Sequence, residues 1–237
     1  MLQVGYYQLL QSCCGCGRVK LCLADELIGT QLNLTESSLI QNIVQVKGSY
    51  IYYQGEAIKN LYFVKSGSVK TIYFNENGDQ QIINFHYPGE IIGLAHLNYS
   101  YHSTSAITLE KSVICVFSLR FILENCEKHP NLLTNLLNRF NTEIKHRHEL
   151  LLGINHRIAN KRLGDFLLDL INRQYLIRNK PIEFHLTMSR DDMANYLGLA
   201  SETVSRVLSR YEKSGLILVN KKKIRINNLD EFVRFLS

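Results

Sequence analysis

At Pro130 the hydrophobic repeat of this chain switches from one that suits strands to one that suits helices. Residues 46–117 form short alternating runs punctuated by Gly48, Gly55, Gly67, Gly78, Gly89 and Gly93. Strands are expected at 51–53, 61–64, 69–74, 81–86 and 112–117, with Asn77-Gly78 as a hairpin turn because both residues tolerate positive φ. Strands at this spacing suit a small antiparallel roll or barrel. Beyond Pro130, Leu133, Leu137, Phe140, Ile144, Leu151, Ile154 and Ile158 recur in steps of four and three, the pattern of a coiled-coil seam. Arg147 falls where the seam calls for an apolar residue, with Lys145, His146 and His148 beside it. Either the helix drifts so that Arg147 reaches solvent, or Arg147 meets its mate across a two-fold axis and weakens the dimer. A hinge is expected at 153–156 and an amphipathic helix at 159–176. The fold class that follows is α+β.

The last fifty residues carry the clearest chemistry. The stretch SETVSRVLSRYEKS (201–214) reads as a helix, with Ser201 as N-cap and Gly215 in the left-handed position after its end. Val204, Val207, Leu208 and Tyr211 supply its buried face. Residues 189–197 read as a preceding helix with Gly198 in the turn, which makes a helix-turn-helix. On another face Glu202, Ser205 and Arg206 lie at i, i+3 and i+4. A carboxylate there can accept from cytosine N4, and a guanidinium can fork onto guanine O6 and N7. Ser201, Thr203, Ser209 and Arg210 complete the expected DNA-facing set. Strands at 216–219 and 224–226 flank Asn220-Lys221-Lys222-Lys223, a basic wing suited to phosphate.

A formal net charge of +6 agrees with a polyanionic partner, here double-stranded DNA. No apolar run reaches the roughly 18–20 residues that span a bilayer, and no secretory leader opens the sequence, so no membrane association is expected and the chain is placed in the cytoplasm. No dinucleotide fingerprint, Walker loop, nucleophile elbow or carboxylate pair is present, and catalysis is not expected.

Four of the six cysteines fall between Cys13 and Cys22, spaced C-x2-C-x5-C once Cys14 is set aside. Closely spaced thiols with Gly15 and Gly17 among them suit a metal or iron–sulfur site. Cys13, Cys16 and Cys22 leave a four-thiolate site one ligand short, and only Cys115 and Cys126 remain. Three chemistries stay open: an iron–sulfur cluster, a structural zinc, for which the x5 gap is unusual, and a metal-free thiol switch. His86, His96 and His102 stand singly among strands and loops and are expected to be packing or surface residues rather than ligands.

Together these residues resemble the Crp/Fnr family of bacterial transcription regulators over nearly the whole chain. The resemblance covers Pro88-Gly89-Glu90-Ile91-Ile92-Gly93 in the roll and the long helix, and is closest in LTMSRDDMANYLGLASETVSRVLSRYEKSG (186–215), where it points to the family's oxygen sensors. It implies a cyclic-nucleotide-binding-like β-roll, a long dimerisation helix and a C-terminal winged helix-turn-helix. The implied parts are a cysteine-rich segment at 1–29, a roll at 30–128, the helix at 129–154 and the DNA-binding domain at 155–237. It further implies an oxygen-labile [4Fe–4S] cluster on Cys13, Cys16, Cys22 and Cys115. TTGAT-like half-sites would be read by Glu202, Ser205 and Arg206 in a homodimer joined through Leu137, Phe140, Ile144, Arg147 and Leu151. RNA polymerase would be contacted through Asn75, Glu76, Asn77, Gly78 and Asp79. Cyclic nucleotide is not implied: the family's binders place an Arg-Ser pair near where this chain has Ser103-Thr104-Ser105, and no arginine occurs between Arg18 and Arg120. Two departures stand out, the extra Cys14 and the basic Arg147 where the oxygen sensors commonly have an acidic seam residue.

Overall fold

The computed structural model describes residues 40–94, 100–156, 158–174 and 182–236, which divide into two compact units meeting at Lys145 and His146. In the first unit, β1 (Ile40–Gln45), β2 (Tyr50–Tyr52), β3 (Asn60–Ser66), β4 (Val69–Phe74), β5 (Gln80–His86), β6 (Ile91–Ile92), β7 (Ser105–Thr108) and β8 (Ser112–Ser118) precede α1 (Leu119–Lys128) and α2 (Pro130–His156), which continues across the boundary. The strands form two antiparallel four-stranded sheets, ordered β1-β8-β3-β6 and β2-β7-β4-β5. Val64, Ile92 and Ile114 of the first meet Tyr52, Val69 and Ala106 of the second to form the interior of the roll.

Side chains alternate across a strand, so the same sheet offers a second apolar face. Leu61 and Phe63 of β3, Ile91 of β6 and Cys115 and Phe117 of β8 point there. Ile122 and Cys126 of α1 and Leu132 and Leu136 of α2 cover them. Burial on both faces explains why SVICVF reads as an almost unbroken apolar run. At the β3–β4 turn Gly67 has φ +85°, and a Cβ there would lie 2.3 Å from Ser112 Oγ, so only glycine fits.

The expected strands are present with small shifts at their ends. β1, β6 and β7, and with them α1, have no counterpart in the sequence reading. In β7 the buried Ser105 and Thr108 lower the apolar count, yet both are bonded: Thr108 Oγ1 donates to the Val46 carbonyl (2.6 Å), and Ser105 Oγ accepts from Gln54 N–H (2.8 Å). The hinge expected at 153–156 is not seen, because α2 continues unbroken through His156.

The second unit contains α3 (Ala159–Gln174), β9 (Ile182–His185), α4 (Arg190–Leu197), α5 (Ser201–Lys213), β10 (Ile217–Asn220), β11 (Lys223–Ile226) and α6 (Leu229–Leu236). Its three strands pair antiparallel in the order β10-β11-β9. Leu163, Leu167, Leu170 and Ile171 of α3 are buried, as are Val204, Leu208 and Tyr211 of α5 and Phe232 of α6. Tyr211 is fully buried, its ring packs edge-on against Phe232, and its hydroxyl donates to the Asn160 carbonyl. Burial pushes this phenol well above the ordinary tyrosine range. Gly164 lets α3 and α6 approach, since a Cβ there would fall 2.3 Å from Leu236 Cδ2.

Candidate nucleic-acid interface and cluster ligand

α4 begins with a capping box. Ser189 Oγ accepts from Asp192 N–H, and Asp192 Oδ2 accepts from Ser189 N–H, both at 3.0 Å. It ends at Gly198, left-handed at φ 61°, where the chain turns sharply into α5. Arg162 Nη1 points at the carbonyls of Leu197 (3.4 Å) and Gly198 (3.5 Å), placing a cation at the negative end of α4.

The expected N-cap of α5 is corrected. Ala200 holds the cap position with no side-chain bond, and Ser201 is the first helical residue. Its hydroxyl instead donates to Asp191 Oδ1 of α4 at 2.5 Å. A second bridge runs from Arg190 Nη1 to Ser205 Oγ at 3.0 Å. These two bonds tie the recognition helix to α4 on its outward side, while Val204, Val207, Leu208 and Tyr211 anchor it inward as expected. Neither Arg190 nor Asp191 was singled out from sequence, because nothing local to them signals a partner ten or more residues away.

Glu202, Arg206, Ser209 and Arg210 are exposed, and Thr203 and Ser205 are half-buried. Arg206 Nη2 donates to Thr203 Oγ1 at 3.1 Å, which holds the guanidinium along the helix. Arg206, Ser209, Arg210 and Lys213 line one open groove beside Ser205 and Ser214. A cationic, hydroxyl-rich helix surface of this kind can read base edges and meet phosphate together.

The wing is tighter than expected. Asn220 pairs with Lys223, so the loop is only Lys221-Lys222. Lys222 Nζ donates to the Thr187 carbonyl (3.0 Å), and Lys223 Nζ pairs with Glu183 (3.4 Å). Lys221 stands exposed at the tip with φ 55°, the one non-glycine at positive φ among the described residues.

Of the expected cluster ligands, Cys13, Cys16 and Cys22 lie outside the described residues, as does Cys14. Cys115 sits on β8, 7% exposed, and its thiol donates to Asn42 Oδ1 of β1 at 3.1 Å. Its strand is held on both sides, and its side chain faces the surface that α1 and α2 cover. Cys115 thus offers one buried sulfur at the rim of a core, a donor of the kind that an iron–sulfur cluster takes. Cys126 is also buried, on α1, and burial pushes its thiol up.

Two histidines are buried in the roll. His102 stacks on Tyr52 with centroids 3.7 Å apart, and His86 Nε2 lies 3.3 Å from Thr71 Oγ1. Both histidines are buried packing residues, and His96 lies outside the described residues. The 75–79 loop is ordered by Asn75, whose Oδ1 accepts from Asn77 N–H (3.0 Å) and Asp79 N–H (2.8 Å), leaving Glu76, Asn77, Gly78 and Asp79 exposed. On α2, Leu133, Leu137 and Ile144 are 43–52% exposed, a stripe separate from Leu132 and Leu136. Phe140 is shared, half-buried against its own roll. Arg147 is half-buried, and the Leu151 side chain lies outside the described residues.

Residues 161–235 match the Crp-like helix-turn-helix domain and residues 45–129 the cyclic nucleotide-binding domain. The fumarate and nitrate reduction regulatory proteins of Salmonella typhimurium and Escherichia coli strain K12 are each 33% identical over 218 residues, 92% of this chain and 87% of theirs. Among solved structures, FixK2 from Bradyrhizobium japonicum superposes with a TM-score of 0.75 at 25% identity, covering 83% of this chain and 96% of its own. A CooA mutant from Carboxydothermus hydrogenoformans shares the fold, with a TM-score of 0.68 at 19% identity over 84% of this chain and 88% of its own. Identity at one residue in three over 92% of the chain goes beyond a common fold: the chain belongs to the Crp/Fnr family, and is a transcription regulator with a DNA-binding helix-turn-helix rather than an enzyme.

Proposed function

We propose that this regulator responds to oxygen through a [4Fe–4S] cluster held by Cys13, Cys16, Cys22 and Cys115, and that as a cytoplasmic homodimer it binds palindromic TTGAT-like sites to control anaerobic gene expression. The observation that carries the reading is the placement of Cys115. It shares one buried cluster with Leu132 and Leu136, so the sheet face that holds the thiol also seats the base of α2. When bound, such a cluster supplies an oxygen-labile group at that face. The chain does the rest. Phe63 and Phe117 pass any shift of β8 to Leu132 and Leu136, and α2 carries Leu133, Leu137 and Ile144 for the partner helix. Dimerisation then sets whether two copies of α5 can occupy adjacent turns of one DNA groove.

Tyr52, His102 and the arginine-free roll support a domain that needs no cyclic nucleotide. The ordered, exposed loop from Asn75 to Asp79 supports a contact with RNA polymerase.

The decisive experiment is the iron, sulfide and zinc content of protein purified without oxygen, with visible absorbance followed as air is admitted. About four iron and four sulfide per chain, bleaching in air, are expected, and Cys115→Ser should abolish both the cluster and oxygen-dependent DNA binding. Zinc, or no metal, would remove the oxygen reading and leave the DNA-binding one standing. Oxygen-dependent binding retained by Cys115→Ser would exclude Cys115 as a ligand.

A further inference from the structure

The β1–β8 register places Asn42 directly opposite Cys115, so both side chains project from the same face of the sheet. The Asn42 carboxamide oxygen lies 3.1 Å from Cys115 Sγ, within hydrogen-bond reach for sulfur. Their neighbours on this face, Leu61, Phe63 and Phe117, are apolar. Asn42 itself is exposed on an edge strand, where a lysine or threonine would serve the sheet equally well.

A carboxamide has a property the alternatives lack. As a free thiol, Cys115 donates, and the amide oxygen accepts. As a metal ligand the sulfur has lost its proton and can only accept. Turning the amide by half a revolution brings Nδ2–H, a donor, to the same position. Asn42 can therefore satisfy the sulfur in both states with no movement of the backbone. Hydrogen bonds to ligand sulfurs are among the determinants of iron–sulfur potential, and partners of metal ligands typically alter affinity by about 10–100-fold when removed.

We propose that Asn42 is a positioning residue for the cluster: its side-chain N–H donates to the metal-bound Cys115 sulfur and slows the attack of oxygen. This rests on Cys115 being a ligand, as proposed above. The test compares wild type, Asn42→Ala, Asn42→Asp and, as a control for loosening the strand, Val44→Ala at another exposed position of β1. Each protein is purified without oxygen, and its iron content, Fe–S stretching frequencies by resonance Raman and bleaching half-time in air are measured. Asn42→Ala should retain iron, shift the stretching bands and bleach on the order of tenfold faster. Asn42→Asp, unable to donate and negatively charged beside the thiolate, should lose iron before air is admitted. Val44→Ala should match wild type. Wild-type bands and half-times in both Asn42 variants would overturn the proposal while leaving the cluster intact, and so would an equal effect from Val44→Ala. An iron-free wild-type protein would overturn both the proposal and the reading beneath it.

Discussion

Arg206 and Lys221 both bring exposed positive charge to the DNA-binding unit, but in different surroundings. Arg206 is steadied by Thr203 on the second helix of the helix-turn-helix, where the proposed role is to read a base edge. Arg206→Ala should cost about 1–3 kcal/mol against the preferred site and relax discrimination at a single base pair. Binding measured across single-base variants checks this, and a uniform loss would mark Arg206 as a phosphate contact. Lys221 holds a left-handed backbone conformation at the wing tip, which disfavours any side chain by about 1–2 kcal/mol. Lys221→Gly should therefore raise the stability of the DNA-binding unit by up to about 1 kcal/mol while weakening all DNA equally and lowering the salt slope by about one. Thermal unfolding and a salt titration on one variant test both halves. The buried face of α5 was legible from sequence because Val204, Val207, Leu208 and Tyr211 repeat at helical spacing. The roles of Arg190, Asp191 and Asn42 were not, because each is defined by a partner that only folding brings near.

Among the elements, α2 shows how periodicity can be half read. Its seam of Leu133, Leu137, Phe140 and Ile144 follows from steps of four and three. The companion stripe of Leu132 and Leu136 escaped notice because each of its leucines precedes a seam residue and looks redundant. Leu132 and Leu136 are buried against the roll, whereas Leu133, Leu137 and Ile144 are exposed. Leu136→Ala should destabilise the roll by about 2–5 kcal/mol, since it empties a packed site. Leu137→Glu should leave unfolding of the roll nearly unchanged and shift the protein to monomers. Sedimentation and denaturant titration of the two variants separate these effects, and a stable dimer in Leu137→Glu would place the interface elsewhere. β7 was hidden for a different reason: its polar residues are buried but hydrogen-bonded, which alternation of apolar residues cannot signal.

For the whole molecule, the order of parts was legible because each part has its own hydrophobic period and its own punctuation. That Cys115 shares a buried cluster with Leu132 and Leu136 was not, since it depends on the far face of a sheet whose two apolar faces overlap in sequence. If two recognition helices act as one body, five base pairs inserted between half-sites turn one site to the opposite side of the duplex and should abolish tight binding, whereas a full turn of roughly ten restores the facing. Mobility-shift assays on such spacers decide this, and indifference to spacing would mean independent monomers. The paired leucines of α2 carry one more consequence. Neighbours on a helix are about 100° apart, so Leu132 and Leu133, like Leu136 and Leu137, work as teeth on two sides of a shaft. Because both rows share one backbone, any rotation of α2 that unseats Leu132 and Leu136 from the roll must also turn Leu133 and Leu137 to a new bearing.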